Sequence, residues 1–278
     1  MKASDKPAVA SALGVGIAKP LGSGSYGDTY LVPLPDLGGD CAVKLLKPDT
    51  YDARRAERET EGMRRFTGSG VAELRDVRTV QLDGTDRVAL ICEFIPGGDV
   101  HSRLLDGELP NHKHLRKFAT SLLSTVAELH AADTVHRDIK PLNILLRDGK
   151  WGRPVLIDFG LSRLISDPTI TGYGAFTGSY AYMPPEHLRG EPARKLADLW
   201  AVGVTLFQLA TGKHPFLPDQ PESMTVDDLL LRLSGTPGPL PHDFPDDLRA
   251  LIERLLSETP HRRGSAARAV KDLTESER

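Results

Sequence analysis

The sequence has only two cysteines, Cys41 and Cys92, among its 278 residues. Two thiols cannot build a disulfide framework or a zinc site with four cysteine ligands, so both classes of protein are excluded. Lysine and arginine number 35 against 38 acidic residues, which gives a net charge of −3. Because no overall positive charge attracts nucleic acid or an anionic membrane, we expect neither as a partner. A reducing compartment, the cytoplasm, is the simplest expectation.

No apolar run is long enough to cross a bilayer. The most apolar stretch, residues 199–210, has about a dozen residues, whereas a membrane-spanning helix needs about 20. Residues 7–18 are weakly apolar and follow two lysines, as in a secretion signal, but a serine and two glycines interrupt them. We therefore expect a soluble chain with no membrane attachment, and we expect the first strand at the end of this segment.

Two regions of different pattern follow one another along the chain. Apolar residues make up 40% and charged residues 26%, the balance of a globular protein. Strands are predicted at residues 15–21, 29–33, 41–46, 77–82 and 87–94, with a hairpin turn at Asp83-Gly84 and a helix at residues 53–66. After Pro96-Gly97-Gly98 the pattern becomes helical, beginning with the apolar face formed by Leu115, Phe118, Ala119, Leu122, Val126 and Leu129. The sequence predicts an α+β fold with a small sheet-rich region, residues 1–95, and a larger helical region, residues 96–278.

Three glycines, Gly22, Gly24 and Gly27, lie in a turn between two predicted strands. Because glycine has no Cβ, such a turn lets backbone N–H groups approach phosphate oxygens. A plain hairpin loop is an equally compatible interpretation. The strand that follows argues against a dinucleotide-binding fold, in which a helix follows the glycines.

Lys44 is a single charge among apolar residues on a short predicted strand. An ammonium group buried there needs an anionic partner, and Glu59, fifteen positions further on, could supply one from the predicted helix. The alternative is that Lys44 extends from an edge strand and keeps its charged end in water.

Residues 136–143 read His-Arg-Asp-Ile-Lys-Pro-Leu-Asn and bring three polar groups into one short loop. Asp138 could accept a proton, Lys140 could neutralise phosphate charge, and Asn143 could offer an oxygen atom to Mg²⁺. The proline keeps this loop from continuing as a helix. Asp158 follows an apolar strand and precedes Phe-Gly, which suits a movable metal ligand.

In their order and spacing, these motifs resemble those of the protein kinase superfamily, specifically the eukaryotic-type (Hanks-type) serine/threonine kinases that also occur in bacteria. The resemblance runs from about residue 17 to residue 263. It implies a bilobal protein kinase fold and transfer of the γ-phosphate of Mg-ATP to serine or threonine hydroxyls of proteins. Mn²⁺ is expected to substitute for Mg²⁺.

The resemblance also implies a role for each matching residue. Lys44 holds the α- and β-phosphates while paired with Glu59, for which Glu57 and Glu61 are close alternatives. Asp138 accepts or orients the proton of the substrate hydroxyl. The residues implied to contact ATP are Leu21, Gly22, Ser23, Gly24, Ser25, Tyr26, Gly27, Thr29, Ala42, Lys44, Glu93, Ile95, Asp99, Asn143 and Asp158, the last two as ligands of Mg²⁺.

Residues 178–186 resemble the end of an activation segment, which supports a peptide substrate. Ser179 stands where the family more commonly has threonine, and the hydroxyl is kept. Lys140, two places after the catalytic aspartate, is the residue typical of serine/threonine kinases. Two bracing contacts are implied as well: Glu186 is expected to pair with Arg263, and Asp198 is expected to bind the backbone of the catalytic loop.

Arg137 precedes the catalytic aspartate. In the family that this sequence resembles, an arginine at this position commonly binds a phosphorylated residue of the activation segment. We expect autophosphorylation at Thr169, Thr171 or Thr177, with a regulator acting in trans. The alternative is that these threonines are solvated loop hydroxyls.

Two other function classes compete with an active protein kinase. A pseudokinase, which binds nucleotide or acts as a scaffold, would lack a catalytic group, but Lys44, Asp138, Asn143 and Asp158 are all present. A small-molecule phosphotransferase of related fold would share the aspartate and metal ligands but would lack a counterpart of residues 179–186.

Overall fold

The structure is a computed structural model that describes residues 5–24, 27–47, 60, 70–158, 180–192, 194–219 and 224–276. Its contacts divide the chain into two units. Unit 1 contains residues 1–67, 71–95 and 160–167, and unit 2 contains residues 68–70, 96–159 and 168–278. The predicted α+β class is confirmed, because the described part of unit 1 is mainly strand and that of unit 2 is mainly helix.

Unit 1 is built on an antiparallel sheet of five strands. The strands are β1 (Lys19–Ser23), β2 (Gly27–Leu34), β3 (Gly39–Leu46), β4 (Leu74–Leu82) and β5 (Thr85–Glu93), in the spatial order β1-β2-β3-β5-β4. The turn between β4 and β5 is at Asp83-Gly84, where both residues have positive φ angles, 52° and 76°. Because β3 lies in the middle of the sheet, the edge-strand interpretation of Lys44 is wrong.

The N-terminal segment differs from the sequence prediction. A helix, α1 (Asp5–Ala12), precedes the sheet, and β1 begins only at Lys19 instead of at residue 15. Val9 and Leu13, four positions apart, lie on one side of this segment and are buried against the sheet. Gly14, with a φ of 68°, allows the chain to turn there, and the Val15 N–H closes the end of α1 by donating to the Ala10 carbonyl.

The two faces of this sheet have different roles. The face that packs with α1 carries Tyr30, Val32, Cys41, Val43, Leu45, Ala89 and Ile91. On antiparallel strands, side chains alternate between faces and directly paired residues share one face. Thr29 is paired with Lys44, and Ala42, two positions from Lys44, is paired with Cys92. The predicted ATP-contacting residues of β2 and β3 therefore share the face turned away from α1.

The predicted helix at residues 53–66 lies outside the described residues, except for Thr60. Thr60 is helical and buried.

Unit 2 contains seven of the described helices. They are α2 (Val100–Leu105), α3 (His112–Ala131), α4 (Pro185–Leu188), α5 (Lys195–Thr211), α6 (Val226–Leu233), α7 (Asp246–Leu255) and α8 (Ala266–Glu275). A short antiparallel hairpin pairs β6 (Ile144–Leu146) with β7 (Pro154–Leu156), and 3₁₀ turns occur at Pro141–Asn143, Arg147–Gly149, Tyr180–Tyr182 and Pro260–Arg263. No helix in the described ranges combines the length and apolarity that crossing a bilayer requires.

Two helices form the centre of unit 2. All six apolar positions predicted for one face of α3 are buried. Helix α5 is buried on nearly every side, which explains its almost continuous apolar sequence. Gly203 of α5 allows α7 to approach closely, because a Cβ at this position would lie 2.8 Å from the Leu255 Cβ.

Candidate active site

The loop that carries Asp138 lies between α3 and the turn before β6, and a buried carboxylate fixes its backbone. Asp198, near the start of α5, is 1% exposed. Its two oxygens accept the His136 N–H at 2.9 Å and the Arg137 N–H at 2.8 Å. These bonds hold Arg137 at a φ of 72°, a conformation that residues other than glycine rarely adopt. The contact expected between Asp198 and the loop backbone is present.

His130, in the last turn of α3, is a third partner of Asp198 that the sequence analysis missed. Its Nε2 lies 2.9 Å from Asp198 Oδ2, so the Nε2–H donates to the carboxylate. The sequence did carry one signal for it: His130 is a polar residue four positions after Val126, a member of the apolar face of α3.

The Asp138 carboxylate is held by two residues of its own loop. Lys140 Nζ donates to both oxygens, at 2.9 and 2.7 Å, and Asn143 Nδ2 donates to Oδ2 at 2.8 Å. Asn143 Nδ2 also donates to the Asp138 carbonyl at 2.9 Å. The structure therefore brings together the carboxylate, ammonium and amide groups of this loop and fixes the direction of the carboxylate.

His136 connects this loop to the end of β7. Its Nδ1 accepts the Asp138 N–H at 3.3 Å, which leaves the hydrogen on Nε2 to be donated to the Ile157 carbonyl at 3.2 Å. Complete burial lowers the pKa of His136, and the neighbouring carboxylates of Asp198, Asp138 and Asp158 oppose this shift. The ring therefore stays neutral and ties Asp138 to the residue that precedes Asp158.

The chemistry of Asn143 and Asp158 fits a hard divalent cation. The Asn143 amide nitrogen makes the two bonds to Asp138, so the amide oxygen is the atom suited to a metal. Asn143 is linked to the strand end that bears Asp158, because the Ile157 N–H donates to the Asn143 carbonyl at 3.0 Å. Asp158 has a φ of 60°, a strained conformation of the kind that clusters at functional sites.

In unit 1, the three glycines at the turn between β1 and β2 differ in how much space surrounds them. A Cβ on Gly27 would lie 2.1 Å from the Leu45 carbonyl oxygen, so the close approach of β2 and β3 requires a glycine there. Nothing lies within 4 Å of a Cβ built on Gly22, and Gly24 meets only the Gly27 carbonyl oxygen, at 3.9 Å. Packing thus explains Gly27, and open space around Gly22 and Gly24 is compatible with a phosphate ligand.

Other residues of unit 1 that are predicted to contact ATP lie on the sheet or next to it. Leu21 and Ser23 lie on β1, and Leu21 is exposed although it is a large apolar residue. Ser23 Oγ donates to Asp28 Oδ1 at 2.5 Å, and Lys47 Nζ donates to the Gly24 carbonyl at 3.0 Å. Ser25, Tyr26 and Glu59 lie outside the described residues.

The residues predicted to contact adenine and ribose lie at and beyond the end of β5. The Glu93 N–H donates to the Glu73 carbonyl at 2.9 Å, and Ile95 is buried. Asp99 is the N-cap of α2, where its two oxygens accept the Ser102 N–H and hydroxyl, both at 2.8 Å. Because each carboxylate oxygen has more than one lone pair, capping does not exclude a further donor such as a ribose hydroxyl.

The segment before α4 is fixed by the predicted pair of Glu186 and Arg263. The Arg263 side chain is 0% exposed, and its NH1 and NH2 donate to the two carboxylate oxygens of Glu186 at 2.5 and 2.9 Å. The same guanidinium donates to the carbonyls of Leu196 and Ser257 and lies 5.0 Å from the centre of the Trp200 ring. Ser179 lies outside the described residues.

Comparisons with known proteins show the family and the fold. The family profile described as "Protein kinase domain" matches residues 16–273. The crystal structure of Rad53 residues 1–466 in complex with AMP-PNP superposes with a TM-score of 0.72 at 24% identity, over 91% of this chain and 62% of that one. At this identity, the structural likeness shows the fold alone.

Three similar curated proteins are bacterial. The chain is 33% identical over 260 residues to a probable serine/threonine-protein kinase, PkwA, of Thermomonospora curvata. This match covers 91% of this chain and 33% of PkwA. It is 30% identical to the serine/threonine-protein kinase PkaA of Streptomyces coelicolor, over 92% of this chain and 49% of PkaA. It is also 30% identical to the serine/threonine-protein kinase PknA of Mycobacterium tuberculosis, over 86% of this chain and 56% of PknA. The chain thus spans between a third and a little over half of the length of these relatives.

Proposed function

The chain belongs to the protein kinase family, and from this premise we propose that it transfers the γ-phosphate of ATP to serine and threonine hydroxyls of proteins. The observation that carries the proposal is the Asp138 carboxylate, held at both oxygens by Lys140 and Asn143 in a loop whose backbone is bonded to buried Asp198. Phosphoryl transfer depends mainly on positioning and charge stabilisation, and this arrangement provides both.

In the proposed reaction, Asp138 orients the acceptor hydroxyl and takes its proton. The hydroxyl oxygen attacks the γ-phosphorus while the bond to the bridging oxygen of the β-phosphate breaks, and ADP leaves. Lys140 is well placed to neutralise charge on the transferred phosphoryl group, because its ammonium group already lies within 2.9 Å of both Asp138 oxygens.

We propose nucleotide-binding roles for residues of unit 1 and, separately, for residues of unit 2. In unit 1, the glycine-rich turn at Gly22 and Gly24 is proposed to lie against the phosphates, where the absence of a Cβ leaves room for them. Lys44 would contact the α- and β-phosphates with Glu59 as its partner, and Glu93 and Ile95 would offer backbone groups to adenine. The shared sheet face of Thr29, Ala42 and Lys44 supports this assignment.

In unit 2, Asp99 is proposed to contact ribose, and the oxygens of Asn143 and Asp158 would hold the metal. A divalent cation, which we propose to be Mg²⁺ with Mn²⁺ able to replace it, would supply charge neutralisation at the phosphates. A cytoplasmic location is part of the same proposal.

Autophosphorylation and a regulator acting in trans are further parts of the proposal. Thr169, Thr171 and Thr177 are the proposed acceptors, and all three lie outside the described residues. Arg137 supports the idea, because its Nε is buried and has no hydrogen-bond partner within the described part of the chain. A phosphate group on the activation segment would bind such a guanidinium strongly.

The proposal is tested by incubating the purified chain with Mg²⁺, γ-labelled ATP and either casein or myelin basic protein. Asp138→Asn is expected to reduce phosphorylation by about 10² to 10⁴-fold, the usual contribution of a general base. Lys44→Met is expected to reduce it as well. Asp106→Asn, at the exposed end of α2, and Lys19→Met, on the exposed strand β1, are the matched controls and are expected to keep activity.

Label on serine or threonine that disappears in both site variants supports a protein kinase. No label despite intact ATP binding would instead support a pseudokinase, and label confined to a small metabolite would support a small-molecule phosphotransferase. Mapping the label on the chain tests Thr169, Thr171 and Thr177, and an unmodified segment in active enzyme would contradict autophosphorylation.

A further inference from the structure

His214 is a buried histidine in the loop after α5, and both of its ring nitrogens are engaged. It is 4% exposed. Nδ1 lies 3.2 Å from the Phe216 N–H nitrogen and 3.1 Å from that of Leu217. Nε2 lies 3.0 Å from the carbonyl oxygen of Ala181, a residue 33 positions earlier in the chain.

These contacts fix the protonation of the ring. Two backbone N–H groups point at Nδ1, so Nδ1 is the acceptor and the hydrogen is on Nε2, which donates to the Ala181 carbonyl. Burial lowers the pKa of His214 to about 4, and the bond to Ala181 opposes this shift. At neutral pH, His214 is therefore a permanent bridge between two backbone segments and does not change charge.

The His214 ring also packs in a cluster of aromatic residues, and one residue of this cluster contacts Arg263 of the Glu186–Arg263 pair. His214 meets Tyr182 edge to face, with 5.9 Å between ring centres, and the Tyr182 hydroxyl donates to Gln208 Oε1 of α5 at 2.8 Å. Phe216 stacks on Trp200 at 5.3 Å, and Trp200 lies against the Arg263 guanidinium.

The segment from Tyr180 to Glu186 is thus held at two places. At its C-terminal end, Glu186 binds Arg263. At its N-terminal end, the Ala181 carbonyl binds His214 and the Tyr182 side chain binds Gln208. The first attachment was expected from the sequence, and the second was not.

We propose that His214 is a positioning residue for the protein acceptor, because it fixes the backbone at Ala181 in the segment that supports a peptide substrate. This inference rests on the proposed function, which assigns the segment to peptide binding. His214 does not contact the groups proposed to bind ATP in the described structure, so its removal should weaken the use of the protein acceptor and leave the use of ATP unchanged.

The test compares His214→Asn with His214→Gln, using casein as the acceptor. The Asn side-chain oxygen can still accept from Phe216 and Leu217 but is too short to reach Ala181, whereas the Gln amide nitrogen can still donate to Ala181. We expect His214→Asn to raise the KM for casein about two- to twelve-fold, the effect of losing one typical hydrogen bond at the Ala181 carbonyl, with an unchanged KM for ATP. His214→Gln should recover a substantial part of the loss.

Thr211→Ala is the matched control. Its hydroxyl donates to the carbonyl of either Phe207 or Lys213 and accepts from the Lys213 N–H at the start of the same loop, and its described bonds do not involve residues 180–182. This variant should lose a similar amount of loop bonding and keep the KM for casein. An equal rise in Thr211→Ala, or an equal rise in the KM for ATP in His214→Asn, would overturn the proposal.

Amide hydrogen exchange of residues 180–188 separates this inference from the proposed function, because it requires no turnover. We expect faster exchange there in His214→Asn than in wild type or Thr211→Ala. Unchanged exchange together with an unchanged KM for casein overturns the inference. If the wild-type chain phosphorylates neither casein nor myelin basic protein, the proposed function fails, and exchange alone decides whether His214 holds the segment.

Discussion

The glycine-rich turn of unit 1 and the Asp138 loop of unit 2 are held in opposite ways. The turn is closed by a backbone bond from the Gly24 N–H to the Gly27 carbonyl and by exposed side-chain contacts such as Ser23 to Asp28. The loop is fixed by buried polar groups from distant parts of the chain, above all Asp198. A surface turn tolerates the loss of a contact because water replaces it, whereas a buried network leaves unsatisfied groups behind.

The largest expected effect is therefore at Asp198. Asp198→Ala removes the acceptor of two backbone N–H groups and of His130, and we expect it to lower the free energy of unfolding by about 3–5 kcal/mol. Urea denaturation measures the loss. A loss below about 1 kcal/mol would show that the loop does not depend on buried bonds and would remove the contrast with the turn.

Gly27 offers a sharper test within unit 1, because packing demands glycine at this position and not at the other two described glycines of the turn, Gly22 and Gly24. In Gly27→Ala the new Cβ would overlap the Leu45 carbonyl, and we expect a destabilisation of about 3 kcal/mol. Gly22→Ala, with open space around the Cβ, serves as the control, with an expected change within about 1 kcal/mol. Thermal unfolding compares the two, and equal effects would contradict the distinction drawn between these glycines.

Acid should weaken unit 2 through its buried histidines. The pKa of His214 is lowered to about 4 in the folded chain, so the unfolded chain, with a histidine pKa near 6.5, binds protons first as the pH falls. The contribution of His214 to stability is complete well above pH 6.5, and about 1.6 kcal/mol of it is lost between pH 6.5 and pH 5.

The measurement is the free energy of unfolding at these two pH values. His214→Asn should lose less stability over this interval than wild type, because Asn does not titrate. An equal loss in both chains would place the acid sensitivity elsewhere, for example at His136, whose pKa is lowered as well.

Ser23→Ala should have the smallest effect. Its bond to Asp28 is exposed, so we expect a change in stability of no more than about 0.5 kcal/mol. Thermal unfolding again provides the measurement. A loss larger than about 1.5 kcal/mol would mean that the turn, like the Asp138 loop, depends on side-chain bonds.

Much of the fold could be predicted because the deciding signals are local. The apolar spacing of α3, the alternation of β2 and β3, and Asp83-Gly84 between β4 and β5 depend on residues close in sequence. The first strand was predicted at residues 15–21 and lies at Lys19–Ser23, because the signals that decide its start are not local. Residues 5–12 form a short stretch in which polar residues and a proline alternate with alanine and valine, too short for a clear helical pattern, and α1 is stabilised by packing Val9 and the following Leu13 on the sheet.

The order of the motifs was enough to predict the residues of the site. Only some of the residues that support them could be predicted. Asp198, Glu186 and Arg263 followed from the family resemblance, and their contacts are present. His130 could have been noticed as a polar residue on an apolar helix face. His214 had no signal, because its partner Ala181 is 33 residues away and neither residue belongs to a periodic pattern.

The sequence by itself determined the chemistry of this protein: which carboxylates, ammonium groups and glycines are available, in what order, and on which local elements. The tertiary structure alone decided which face of the sheet α1 covers, that Gly27 is required by the approach of β3, and that His214 binds Ala181. The physical reason is distance along the chain. Local conformation follows from neighbouring residues, whereas a buried hydrogen bond between distant segments exists only after packing has excluded water from both partners.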